Sequence, residues 1–443
     1  MMGPPIDPVE TDTHLPSHVD VAIVGGGIIG ICTALALVQR GLKVLVCEKG
    51  HLAGEQSSRN WGWCRAARRD PREIALAIAA VDMWADMNAL VGAETGFRRT
   101  GTIFVCENDK DVAYYEDWLE HARPHQMSSH MIGADETAAI LTGAGRRYHG
   151  AMWTPTDGRA EPQKAVPAIA AEVRRRGGLI VERCAVRGLD IAAGRVAGIV
   201  TERGRVAADT VVFAGGAWSR LFTLPLGIRL PQLKVQATVL RTGPVEGGPD
   251  GEGWLPGFAF RKRLDGGYTI ANGRSNLYSI VPDSFRFAWD FLPALMLEFA
   301  NLSLRLDGRF KEEFLNWRPA AMDRPSPFER VRTLDPEPVE WMNRQAFAAA
   351  GKAFPAFAKA TIAQQWAGMI DATPDAVPVI SGFDEIPGFY LATGFSGHGF
   401  GVGPAAGRLM ADLVTGATPF TDPTDFRFTR FTDGSRPRPV TGV

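Results

Sequence analysis

Residues 19–49, VDVAIVGGGIIGICTALALVQRGLKVLVCEK, constrain this chain more than any other stretch. Val19 to Val24 cluster as a short buried strand, and Gly25, Gly27 and Gly30 follow with G-x-G-x-x-G spacing. In such a unit the first glycine allows a tight turn and the second lets the backbone approach a pyrophosphate. The third lets the next helix lie close on the sheet. The spacing predicts that helix from about Ile28 to Arg40, apolar nearly all round, as a helix inside an α/β layer is. Gly41 stands where a left-handed residue ends it. Leu42 to Cys47 read as the next strand. Glu48, 23 residues after Gly25, is placed to accept hydrogen bonds from both ribose hydroxyls of an adenosine. Ile28 and Ile29 at the helix start and Lys49 beside the acid complete the expected nucleotide contacts. A bare G-x-G-x-x-G is weak, but the whole strand–turn–helix–strand–acid unit is a dinucleotide site.

A chain of 443 residues holds two domains, or one interrupted by a second. Net charge is −1 with no long basic or acidic block, so nucleic-acid partners are not expected. Cys32, Cys47, Cys64, Cys106 and Cys184 are scattered singly, with neither a C-x-x-C pair nor metal-ligand spacing. A reduced, cytoplasmic setting without a bound metal is the expectation. Residues 1–18 and 431–443 read as flexible tails. No run of about 18 apolar residues suggests a membrane span. Phe287 to Leu306 carries an apolar face at helical spacing. Core or subunit-interface packing in a homo-oligomer accounts for it, with a membrane-surface helix as the alternative.

The glycine-rich machinery returns twice. Helices are expected at Ile74–Leu90, Asp111–Ala122 and Gln163–Arg176, and strands around a turn at Phe97–Cys106. A strand follows at Leu179–Val181, then a hairpin of Val186–Ile191 with Arg195–Thr201. ADTVVFAGGAWS (208–219) runs a buried strand into Gly215-Gly216, and GFYLATGFSGHGFGVGPAAGRLMADLVTG (388–416) gives strand, turn and helix again. Between them, Lys234–Arg274 has the alternation of short strands, and 285–360 reads as mainly helical. The economical architecture is a discontinuous nucleotide domain (19–95, 151–225 and 356–430) interrupted by a mainly antiparallel domain (96–150 and 226–355). Three glycine turns exceed what a nicotinamide site needs; FAD is long enough to meet them all. Gly25–Gly30 would hold the pyrophosphate at a helix N-terminus, and Gly215-Gly216 would let the backbone pass close. Gly394, Gly397 and Gly399 would hold the flavin end, where the last helix stabilises negative charge on the reduced ring.

The G-x-G-x-x-G unit, GRAEPQ (158–163), TVVFAGGAWS, WAGMIDATPDAVPVIS (366–381) and GFSGHGFGVGPAAGRLMADL (394–413) stand in one order along the chain. Together they resemble the D-amino-acid oxidase/glycine oxidase/sarcosine oxidase superfamily of FAD-dependent amine oxidoreductases. The resemblance implies an α/β plus α+β fold. Its glutathione-reductase-like FAD-binding Rossmann domain carries an antiparallel-sheet substrate domain over the flavin. It also implies oxidation of the C–N bond of a primary or secondary amine or amino acid: hydride passes to flavin N5 and water hydrolyses the imine. Oxygen or another acceptor then reoxidises the flavin. The alternatives are a D-amino-acid dehydrogenase, a nicotinamide-dependent dehydrogenase that would leave two turns idle, and a non-catalytic flavin-binding subunit.

Carried over by position, Ser57, Ser58, Arg59, Asn60, Trp61 and Gly62 form the loop around pyrophosphate and ring, with Arg59 as phosphate partner. Val186 and Trp218 join the cofactor contacts. The histidine that some relatives bond to the flavin is here Asn60 or Trp61. The cysteine that sarcosine oxidases use, seven residues before the Asp of TPD, is Gly368, so FAD is expected to be non-covalent. The carboxylate-clamping arginine of glycine oxidases, five residues before that Asp, is Ile370. Either Arg65, Arg261 or Arg274 replaces it, or the substrate lacks a carboxylate at that place; Asp371 attracts an ammonium group or simply caps a turn. His398 lies at the flavin edge as base, hydrogen-bonding partner or turn residue. Tyr268 and Trp366 wall the substrate pocket or pack in the core.

Overall fold

The computed structural model describes residues 3–273, 276–298, 302–317, 321–435 and 437–440. A central parallel ribbon, Leu179–Val181, Val44–Cys47, His18–Val24 and Gly204–Phe213 in spatial order, forms the nucleotide sheet. Phe389–Thr393 adds to the last of these in parallel, and the hairpin Val186–Ala192 with Arg195–Thr201 extends its other end. Such strands are covered on both faces and so read as near-continuous Val, Ile and Leu. Val44, Leu45, Val46 and Cys47 are all buried.

The first helix, Ile28–Val38, and the last, Gly399–Thr415, cover one face together. Their backbones nearly touch: a Cβ on Gly407 would lie 2.5 Å from the Cys32 carbonyl carbon. The third member of the layer is Ile74–Val91, whose Trp84 donates to the Gly401 carbonyl at 2.9 Å. With the preceding turn it forms the stretch Pro71–Val91, of mean hydropathy 1.6. Among the described residues this is the one helix long and apolar enough to cross a membrane, though no such run was evident in the sequence. Here Leu76, Ala77, Ala80 and Trp84 are spent on the core.

A second, ten-stranded sheet is mostly antiparallel. Gly150–Thr154 pairs inside it with Thr102–Cys106, so this sheet reaches past residue 150. Ile362–Ala372 is an 11-residue strand lying along Leu233–Thr242. It carries Trp366, Gly368, Ile370 and Asp371 from one domain toward the other. The apolar helix expected over Phe287–Leu306 is instead a helix at Ala288–Glu298 and a strand at Leu302–Arg305, with 299–301 outside the described residues. Trp289 and Met296 face outward, 85% and 76% exposed.

The expected N-terminal tail is docked. Asp12 exchanges backbone and side-chain hydrogen bonds with Ile180, Lys164 pairs with Asp7, and Arg174 reaches Glu10 and Asp12. At the other end, the Arg438 carbonyl accepts from Arg72, and Val440 reaches the mouth of the cavity described next.

Candidate active site

One cavity of about 600 Å³ runs between the two domains and touches all three glycine turns. At its first end lie Gly25, Gly27, Ile28, Ile29, Glu48, Lys49 and Val186. Gly25 sits at φ +112°, and a Cβ there would strike the Ala214 carbonyl oxygen at 2.5 Å. A Cβ on Gly27 would enter the cradle 2.9 Å from Ser57 Oγ, which accepts the Ile28 N–H. Gly30 stays outside the cavity and packs the helix on the turn. The Glu48 carboxylate is aimed by the N–H groups of Gly26 and Gly50, at 2.8 and 2.7 Å. Each oxygen keeps a lone pair for a ribose hydroxyl. Burial raises this carboxyl above the usual range.

Gly215, Gly216 and Trp218 line the same cavity, as do Arg59, Asn60 and Trp61. Trp218 donates to Glu55, and Lys49 lies 4.3 Å over the Trp218 ring. At the far end Ile370, Asp371, Gly397, His398 and Gly399 line the wall, beside Arg65, Arg68 and Arg69. His398 immediately precedes the last helix, and its Nδ1 lies 3.2 Å from Glu73 Oε2. Both are buried. Burial pushes the Glu73 carboxyl up to about 8 and the His398 imidazole well down, so the pair is neutral–neutral rather than ionic. The sequence reading missed Glu73; its signal was RRDPRE, a run of charges opening an apolar helix.

A single elongated cavity joining three glycine turns across two domains agrees with what comparison finds. A family model described as FAD dependent oxidoreductase, the DAO family, matches residues 20–413. The chain belongs to the DAO family. It is 33% identical to the L-amino acid deaminase of Proteus myxofaciens, with a TM-score of 0.92 over 96% of each chain. It is 25% identical to the glycine oxidase of Pseudomonas aeruginosa over 92% of this chain and 97% of that one. The D-amino acid dehydrogenase of Rhizobium johnstonii is 28% identical over 64% of this chain and 55% of its own length. As a DAO-family member the protein is an FAD-dependent oxidoreductase of amines or amino acids. The site fits that cofactor: the Gly27 cradle is open, the Glu48 acceptors are aimed, and the last helix starts at the cavity's far end.

Several expected site residues have other duties. Tyr268 lies away from the cavity: it is fully buried in the substrate-domain core, stacks edge-on with Phe357, and donates to the Pro249 carbonyl at 2.9 Å. Trp366 is also fully buried, its Nε1 donating to the Arg59 carbonyl. Arg59 lines the cavity, but its Nη1 is held by Asp335 at 2.7 Å and by the Ala367 carbonyl; only Nη2 is left unpartnered. Asn60 folds back on its own loop, accepting from Gly62 N and donating to the Gln56 and Ser57 carbonyls. Ser58 is buried and its carbonyl accepts from Gln163. Gly62 packs against the Ala160 carbonyl.

Asp371 is a hub for the last glycine turn. Its Oδ2 accepts from Gly394 N at 2.7 Å, Thr393 Oγ1 at 3.2 Å and Gln232 Nε2 at 3.3 Å, and burial raises its carboxyl. Gly394 is thereby fixed without lining the cavity itself. Arg261 is fully buried and pairs with Glu161 at 2.9 Å, so it is not available to a substrate. Arg274 lies outside the described residues. Of the two proposed carboxylate clamps among the described residues, Arg65 is the one that lines the cavity, and Arg68 and Arg69 join it.

Proposed function

We propose that this protein oxidises the Cα–N bond of an amino acid whose carboxylate is held at the Arg65–Arg69 end of the cavity. The observation that supports this is the position of those arginines beside His398 and the last glycine turn, where the wall at Ile370 offers no cation. The chemistry FAD supplies when bound is acceptance of hydride from the carbon bearing the amine. The chain's part is to orient that carbon and exclude water. A guanidinium–carboxylate contact fixes one end of the substrate bidentately, worth about 1.5–3 kcal/mol. Protonated Glu73 donates to His398 Nδ1, which leaves the imidazole's remaining proton on Nε2 as a donor toward the cavity. His398 is thus a hydrogen-bonding group rather than a base. Asp371 holds the turn instead of an ammonium group, because its Oδ2 already takes three donors.

FAD is held non-covalently in this reading. Gly368 lines the cavity where a tethering cysteine would stand, and all five cysteines are buried free thiols, in keeping with a reducing, cytoplasmic setting. Acid precipitation of the purified yellow protein should release FAD to the supernatant. Anaerobic addition of amino acids should bleach the oxidised-flavin absorption, whereas the matching amines without a carboxylate should not. Equal bleaching by both sets would sink the carboxylate anchor.

A further inference from the structure

We propose that the arginine end of the cavity selects substrates with two anionic groups, that is, amino acids carrying a second carboxylate. This deepens the amino-acid reading above and rests on it.

The run RAARR, residues 65–69, places three guanidinium groups within five positions. Arg65, Arg68 and Arg69 line the cavity, and none of the three has a carboxylate oxygen within 4.0 Å among the described residues. Their contacts are with neutral acceptors. Arg65 Nη1 meets the Ala67 carbonyl, Arg68 Nη2 donates to the Tyr114 hydroxyl at 2.6 Å, and Arg69 Nε donates to the Arg65 carbonyl. Arg69 is 3% exposed with a buried, unpartnered Nη1, and Arg68 Nε is likewise unpartnered. Buried guanidinium N–H groups without acceptors are costly and rare.

Nearby carboxyls do not supply the missing charge. Asp157 spends its two oxygens on the N–H groups of Ala66 and Ala67. Glu252 faces Thr102, and Glu73 faces His398. Burial pushes the Glu73 carboxyl up to about 8 and holds the Glu252 carboxyl well above its ordinary range; Asp157, raised to about 6, stays mostly ionised. Three guanidinium groups thus meet one carboxylate, an excess matching two anionic groups on an amino acid whose amine is neutral. Burial and the mutual repulsion of the cations press Arg65 down, a load that a bound dianion relieves. Arg68 also holds φ +56°, a backbone that non-glycine residues seldom adopt and that folds tend to retain at functional positions. The FAD pyrophosphate is not the missing anion. Arg65 lies over Trp63 and Phe104, and Arg68 over Phe104, Tyr114 and Tyr115, while the phosphate cradle is at Gly27.

Charge-isostere pairs test the proposal on the holoenzyme: glutamate against glutamine and aspartate against asparagine, each as both enantiomers. The readout is the second-order rate constant for anaerobic flavin bleaching. The acid of the preferred enantiomer should exceed its amide by roughly tenfold to a hundredfold, the range of a charge-assisted contact. Arg68→Asn tolerates the left-handed backbone, and with Arg69→Met it should bring that ratio toward one. Succinate should perturb the wild-type flavin spectrum at concentrations where butyrate does not, a measurement independent of whether the variants fold. Parity of acid and amide in the wild type, or succinate and butyrate binding alike, overturns the two-anion selection while leaving amino-acid oxidation standing. Failure of every amino acid to bleach the flavin overturns both.

Discussion

Replacing Glu73 by glutamine probes the buried pair at the flavin end of the cavity. The Glu73 side chain is fully buried, its Oε1 has no partner, and its Oε2 faces His398 Nδ1. Burial, opposed by the nearby Arg69, carries its carboxyl from the ordinary 4.5 up to about 8. The folded chain therefore keeps this proton over an interval in which the unfolded chain has released it. Stability from this group is complete below about pH 4.5 and is lost as pH rises toward about 8, each pH unit being worth about 1.4 kcal/mol. The full interval amounts to about 5 kcal/mol, reduced where His398 and Arg69 readjust. Glutamine has the shape of the protonated acid and does not titrate. Relative to wild type, Glu73→Gln should therefore gain stability progressively between about pH 5 and pH 8. The raised carboxyls of Asp157 and Asp371 titrate in both proteins and drop out of the difference. Urea unfolding of the FAD-saturated proteins across that range measures it. A difference that stays constant with pH would refute the neutral pair, and the N–H assigned to His398 Nε2 with it.

Gly27→Val should abolish flavin retention while sparing the fold. Its Cβ enters the cradle 2.9 Å from a movable Ser57 Oγ rather than from backbone, so colourless but cooperatively unfolding protein is the expected result. Asp371→Ala leaves the Gly394 N–H and two side-chain donors without their acceptor, costing roughly 1–3 kcal/mol per stranded donor. FAD affinity should fall, with no change in preference between cationic and neutral amines; a selective loss of cationic substrates would restore the ammonium-site reading. Arg430→Met removes the more buried of the two guanidinium partners of Asp375, Arg430 Nε at 2.9 Å, and leaves only Arg72 at 3.2 Å. Chemical denaturation should show a loss of about 3–5 kcal/mol.

What the sequence alone determined is the machinery that depends on near neighbours. The turn at Gly25–Gly30, the helix behind it and Glu48 are set by backbone sterics and apolar spacing within a few dozen residues. The same holds for the strands that lead into Gly215 and Gly394, and for the gap at Gly368. These follow from which φ values and which buried faces each short segment can adopt, so they survive without tertiary context. Only the tertiary structure decided which charges are free. Arg261 and Arg65 look equivalent as letters, yet one is buried against Glu161 and the other opens on the cavity. Tyr268 went to a core, and Asp371 was consumed by Gly394. Glu73 met His398 across 325 positions, and Cys47 came within 3.9 Å of Cys184. Electrostatic roles depend on desolvation and on partners brought from elsewhere in the chain, and no local pattern records either.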